Sequence, residues 1–186
     1  MFRLALTAAL LAVAYSFPAI SKATCAYPNN TDTAINFFNC APDAIQVQTV
    51  TVTDDSGASN YPIDLKKPIN LNLKSYDSGA DYVADLVNVK LYEFTSGWLD
   101  STCSWHGIPT FGMLDGINGC TFADNCPLNH GDLNLDIKLD LTKYAPILAL
   151  LAGDKAYEIE VHMLDNNPGS SKEEIACVVT QLRFIK

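Results

Sequence analysis

The chain has 186 residues, 12 of them basic and 21 acidic, for a net charge of −9 at neutral pH and a sequence pI of about 4.6. That balance, with no basic stripe, argues against nucleic acid and, at neutral pH, against anionic membranes. In an acidic compartment the net charge approaches zero, repulsion from anionic lipid fades, and transient membrane contact becomes permissible.

Met1-Phe2-Arg3 followed by the apolar run Leu4 to Tyr15 reads as a signal peptide, too short to span a bilayer. Small residues offer cleavage after Ser16 or as late as Ala23, so the leader is residues 1–16, at most 1–23. All six cysteines lie beyond it, and an even number in an exported chain implies a disulfide framework. Residues 17–33 form a polar arm with Cys25 and the glycosylation sequon Asn29-Asn30-Thr31. The remainder, 34–186, suits one domain without an internal linker.

Within it, Ala34 to Cys40 is a short first strand. Ile45 to Thr53 alternates Ile45, Val47, Thr49 and Thr51 against Gln46, Gln48, Val50 and Val52. Pro68 to Lys74 and Tyr82 to Phe94 follow, the latter with Val87, Val89 and Leu91 on one face and Asn88 and Lys90 on the other. Gly97-Trp98 turns the chain, and residues 106–131 read as a Gly- and Pro-rich loop in which Cys120 and Cys126 are close enough to be stapled. From Leu133 to Leu141 every odd position is Leu or Ile, and the even ones from Asp132 to Asp140 are polar. That is the period of a strand with one buried face. Tyr144 to Ala152 is a helical turn or loop. Tyr157, Ile159, Val161 and Met163 alternate with Glu158, Glu160 and His162, and Ile175 to Ile185 is the last strand. Seven or eight short strands separated by turns predict an all-β, immunoglobulin-like sandwich.

Catalytic chemistry has no support. The chain lacks a Gly-x-Ser-x-Gly elbow, a phosphate loop and a His-Glu-x-x-His motif. Asp132, Asn134 and Asp136 mimic the start of a calcium loop, but Ile137 and Lys143 stand where Gly and Glu are needed, so no metal is expected. His106, His130 and His162 are isolated and read as solvated. The expectation is a protein that is not an enzyme and carries no cofactor.

At the disulfide loop a likeness emerges. Gly119-Cys120-Thr121-Phe122-Ala123-Asp124-Asn125-Cys126-Pro127-Leu128, followed by Gly131 and the alternating strand, resembles the ML lipid-recognition domain family. That family includes a lysosomal cholesterol carrier and the ganglioside activator. Gly107-Ile108-Pro109-Thr110-Phe111 is similar to the carrier's pocket loop, Phe37-Phe38-Asn39-Cys40 to the family's first strand, and Ile175-Ala176-Cys177-Val178 to its last. Leu139-Asp140-Leu141 with Tyr144 and Pro146 resembles the stretch before the carrier's late strands. The match spans residues 34–186. The chain departs from the carrier in lacking an extra early cysteine pair, and from the activator in lacking a doubled cysteine before Pro127.

The resemblance implies the bridges Cys40–Cys177 and Cys120–Cys126, which leaves Cys25 for Cys103. It also implies an apolar slot between splayed sheets that takes a lipid's hydrocarbon body, with the polar end at the mouth. The wall would be Val87, Val89, Leu91, Leu133, Leu135, Ile137, Leu139, Tyr157, Ile159 and Val161. The mouth would be Trp98, Ile108, Phe111 and Tyr144, with Ile147, Leu148 and Leu151 in a gating or membrane-touching loop. From the pattern alone these rows are ordinary sandwich core. The implied function is a monomeric lipid-binding and transfer protein for a sterol, phospholipid or glycolipid, secreted or in the endosomal or lysosomal lumen. The alternatives are an accessory protein presenting glycolipid to a hydrolase, and a secreted protein-interaction module that binds a receptor without lipid.

Overall fold

A computed structural model describes residues 24–59, 61–67, 69–97, 102–123, 126–139, 144–151 and 153–185. The leader and Trp98 lie outside the described residues, as does the side chain of Leu139.

Among the described residues ten strands form two sheets packed as a β-sandwich. The larger has the order β1 (Asn36–Asn39), β10 (Glu174–Ile185), β9 (Ala156–Asp165), β5 (Asp85–Ser96) and β6 (Cys103–Ile108). The two-residue strands β3 (Ile63–Asp64) and β7 (Ile117–Asn118) pair with β10 and β5. The smaller sheet has the order β2 (Ile45–Thr53), β4 (Ile69–Asp77), β8 (Gly131–Leu139). Among the described residues there are also two short α-helices, α1 (Gly119–Ala123) and α2 (Ala145–Leu148), and a 3-10 turn at Pro28–Asn30. Pro146 lies in the first turn of α2, where a missing N–H costs nothing because that position has no intrahelical acceptor.

The alternating rows of β5, β8 and β9 behave as read, but β2 does not. Val47 pairs with Ser75 and Thr49 with Lys74, so Gln48 is an extra residue without a partner on β4. A one-residue bulge shifts the parity of everything after it. Val50 and Val52 therefore turn inward beside Leu73 and Leu71, while Thr49 and Thr51 face solvent. The sequence puts them the other way round because alternation carries no mark of an inserted residue.

Other differences have similar causes. β4 runs on through Ser75 and Asp77, inward positions whose polarity hides the period. The region read as a turn and a long loop contains β6, β7 and α1. The edge strand β6 has β5 as its one partner and carries exposed Ser104, His106 and Gly107, which gives no hydrophobic signal.

Three disulfides tie the fold: Cys25–Cys103, Cys40–Cys177 and Cys120–Cys126. They are the three pairs named above, and they fit an oxidising, extracellular or lumenal environment. The first draws the arm across the outer face of the larger sheet. There Arg183 of β10 lies over the Tyr27 ring at 5.0 Å. Asn29 Nδ2 donates to Gln181 Oε1 at 2.7 Å, and Tyr61 donates its hydroxyl to the Thr31 carbonyl. No described helix is long and apolar enough to cross a membrane.

The bulge sets a ranking that a regular strand would reverse. Val52→Ala is expected to cost about 2 kcal/mol, and Thr51→Ala within about 0.5 kcal/mol of nothing, both read from urea unfolding. Loop-closure entropy ranks the bridges too. Losing Cys40–Cys177, 137 residues apart, is expected to cost about 5 kcal/mol against about 2 kcal/mol for Cys120–Cys126, 6 residues apart, in the same assay.

Candidate functional site

The inner faces of the sheets meet in two separate packed clusters, one at each end of the sandwich. One consists of Val52, Ile63, Ile69, Leu151, Tyr157, Leu182 and Phe184, against which Leu148 and Ile108 pack. The other consists of Ile45, Tyr82, Leu128, Ile175 and Ala176, with Leu133, Leu135 and Met163 against it. Between them lies a cavity of about 350 Å³.

Strand pairing stacks its walls in rows. On the larger sheet Val89, Val161 and Val178 form one row, and Leu91, Ile159 and Thr180 the next. On the smaller sheet the rows are Val52, Leu71, Ile137 and Val50, Leu73, Leu135. Apart from Val52, these side chains are half-buried although they point inward, because the space before them is open.

Of the residues the sequence suggests for the wall, Val87, Val89, Leu91, Leu135, Ile137, Tyr157, Ile159 and Val161 line the cavity. Leu133 packs instead against the cluster around Ile45, and Leu139 pairs with Ile69 at the end of β8. Of those suggested for the mouth, Tyr144, Ile147, Leu148 and Leu151 line it, with Ile147 and Leu151 buried. Ile108 packs outside it on the cluster around Tyr157. Phe111 does not reach it: at a positive φ of 53° its ring is 81% exposed, and Leu114 three residues later turns in.

Sequence reasoning passed over the contributions of β2, β4 and β10, among them Val50, Leu73, Val178 and Leu182, although those strands were recognised. It also passed over α1. Phe122 is the one lining residue, among those described, that is itself exposed, at 37%, which sets an opening beside α1. An aromatic residue between two stapled cysteines was the available signal.

Among the described lining residues the polar side chains are Ser75, Thr180 and Asp85, with the hydroxyls of Tyr144 and Tyr157. Asp85 is 2% exposed and accepts a hydrogen bond from the Cys120 backbone N–H at the start of α1. Its Oδ1 lies 3.1 Å from Cys120 Sγ and 3.5 Å from Cys126 Sγ. Its Oδ2 lies where a Cβ on residue 119 would fall, at 2.0 Å, so glycine is required there. Burial pushes the Asp85 carboxyl above its ordinary range, with the Cys120 N–H partly opposing. Asp77, fully buried behind Ser75 on β4, is raised for the same reason.

The other described charged groups lie outside the hollow. Glu160 takes Lys90 Nζ at 2.9 Å, and His162 sits between Glu160 at 2.5 Å and Glu174 at 2.6 Å. His162 is thus held between two carboxylates, where the sequence suggested a solvated side chain. His106 meets Ser104 Oγ at 3.0 Å, and His130 donates from Nδ1 to the Gly79 carbonyl at 3.0 Å. Asp136 and Asn134 accept from Asn72 on the outer face of the smaller sheet. Among the described residues two clusters have metal-ligand composition, Asp85 with Cys120 and Cys126, and His162 with Glu174 and Cys177. In both the sulfur is held in a disulfide and offers no thiolate.

These features define a disulfide-bonded β-sandwich with an apolar cavity between its sheets. Comparison with protein-family models and with curated proteins finds no match. Among solved structures, a crystal structure of the C-terminal domain of wzt is similar, with a TM-score of 0.42 and 10% identity, covering 86% of this chain and 84% of that one. A likeness of that degree carries no argument about function.

The raised carboxyl of Asp85 has a testable sign. The folded state holds this proton to higher pH than the unfolded state does. Stability from this group is therefore full below the ordinary Asp value of about 4 and falls as pH rises through the folded value. Asp85→Asn keeps an acceptor for Cys120 and removes the titration. Its unfolding free energy relative to wild type is expected to improve as pH rises from about 3.5 to about 7. Parallel pH profiles would mean that Asp85 is as well solvated in the folded state as in the unfolded one.

Proposed function

We propose that this protein binds and transfers a membrane lipid, as ML-type domains do, holding a sterol or a similar amphiphile in the hollow between its sheets. The observation that carries the reading is the size and lining of the cavity. At about 24 cal/mol per Å³, an empty apolar void of about 350 Å³ would cost roughly 8 kcal/mol, comparable to the whole net stability of a domain. An occupant that fills it relieves that cost and gains about 0.8 kcal/mol for each methylene it removes from water.

The rest of the molecule is compatible with a carrier. The volume lies in the range of small-molecule sites, and Phe122 borders a route to solvent. The acidic surface keeps the protein off anionic membranes at neutral pH. Near the sequence pI of about 4.6 that repulsion vanishes, so delivery to a membrane would be favoured in an acidic lumen.

The reading is tested by extracting the secreted protein with organic solvent and identifying the lipid by mass spectrometry. A stoichiometric lipid is expected from wild type. Val161→Phe, which fills the middle of the hollow, is expected to lose it and to lower uptake of a fluorescent sterol at least about tenfold, with the unfolding midpoint unchanged or higher. Absence of lipid from wild type, with no uptake of fluorescent sterol or phospholipid at pH 5 or 7, would sink the carrier reading.

A further inference from the structure

We propose that the lipid lies with its polar terminus toward the disulfide end of the hollow, where Ser75 and Asp85 hold a single uncharged hydroxyl. The inference rests on the carrier reading and goes beyond it by naming the ligand's polar chemistry and the side chains that select it.

The inward rows of both sheets change character at the same end. On β4 they run Ile69, Leu71, Leu73 and then Ser75 and Asp77; on β5, Asp85 precedes Val87, Val89 and Leu91. Asp77 pairs with Ile45, a member of the cluster that contains Leu128. Asp85 abuts Gly119 and the Cys120–Cys126 bridge. The opposite end is a hydrophobic cluster around Tyr157 and Phe184, with tyrosine hydroxyls as its polar atoms. From Leu71 to Ser75 is roughly 13 Å along the strand, room for a rigid hydrocarbon body.

Ser75 is the telling residue. It is 2% exposed and lines the hollow between Val47 and Leu133, and its Oγ has no hydrogen-bond partner among the described residues. A buried hydroxyl without a partner is destabilising, and alanine at this position would avoid it. A serine kept there is suited to a partner supplied from outside the chain. Asp85 faces the same space from the other sheet and offers a carboxyl oxygen as acceptor.

A ligand hydroxyl matches such a pair, donating to one group and accepting from the other. A carboxylate or phosphate head does not. Among the described residues no Lys, Arg or His lines the hollow to balance its charge, and an unpaired buried charge is strongly disfavoured. The inference is therefore a lipid alcohol in preference to a fatty acid or an anionic phospholipid.

Three fluorescent probes test this on wild type and Ser75→Ala: diphenylhexatriene with no polar group, dehydroergosterol with one hydroxyl, and cis-parinarate with a carboxylate. Diphenylhexatriene is expected to bind both proteins alike. Dehydroergosterol is expected to bind Ser75→Ala about fivefold more weakly than wild type, and cis-parinarate to bind wild type more weakly than dehydroergosterol at pH 7. The free variant should unfold at the same temperature or higher, because the hydroxyl removed has no partner; a merely structural serine would lower it. Equal dehydroergosterol affinity in the two proteins, or cis-parinarate as tight as dehydroergosterol, overturns the inference and leaves the carrier reading standing. Failure of diphenylhexatriene to enter wild type overturns both.

Discussion

The spacing of the two sheets is set at their ends, and everything about the hollow depends on that. At one end Tyr157 and Phe184 of the larger sheet, 5.3 Å apart between ring centroids, cluster with Val52 and Ile69 of the smaller one and with Leu151 from the segment after α2. At the other, Tyr82 and Leu128 exchange backbone hydrogen bonds of 2.8 and 2.9 Å and bury their side chains with Ile45 and Ile175. Ordinary sandwiches interdigitate along their whole length. Here the middle rows are Val, Leu and Ile with one Thr, too short to meet across a gap that larger groups hold open. Cys40–Cys177 and Cys120–Cys126 fasten the edge and the loop that flank the gap, so closing it would mean unpacking both ends.

Charge is partitioned by the same architecture. The outer face of the larger sheet carries Lys90, Glu160, His162 and Glu174 in one linked cluster. The outer face of the smaller sheet carries Asp132, Asn134 and Asp136. Surface pairs of this kind add little to stability. They keep both outer faces wetted, which leaves the apolar rows to the inside. Asp77, Asp85 and Asp165 are buried exceptions, and the first two have carboxyls raised by that burial.

Much of this was legible in the sequence, because period-two alternation reports which way a side chain points. It named the rows of β5, β8 and β9 correctly, and most of those residues line the cavity. It could not report what lies opposite, so Leu133 and Leu135 read alike although Leu133 packs outside the lining and Leu135 belongs to it. It failed on β2, where Gln48 shifts the parity, and at Phe111, whose backbone conformation points an aromatic ring outward. Ser75 and Asp85 were passed over for a related reason: a polar residue on an inward position breaks the pattern and resembles the end of a strand. The groups that make this interior unusual are thus the ones a pattern of apolar residues hides.

Holding the sheets apart from their ends also separates two kinds of selection. Substitutions among the end residues, such as Tyr157, Phe184, Tyr82 or Leu128, act on whether the chain folds. Substitutions at Val89, Val161, Leu73 or Ile137 act first on the shape and width of the space. Rows in the middle are thereby free to drift, and an ancestral sandwich of this plan can be retuned to a new guest by a few wall changes while its scaffold stays intact. Chains descended from a common ancestor of this one would then keep the end residues and the cysteines and diversify along the middle of each strand.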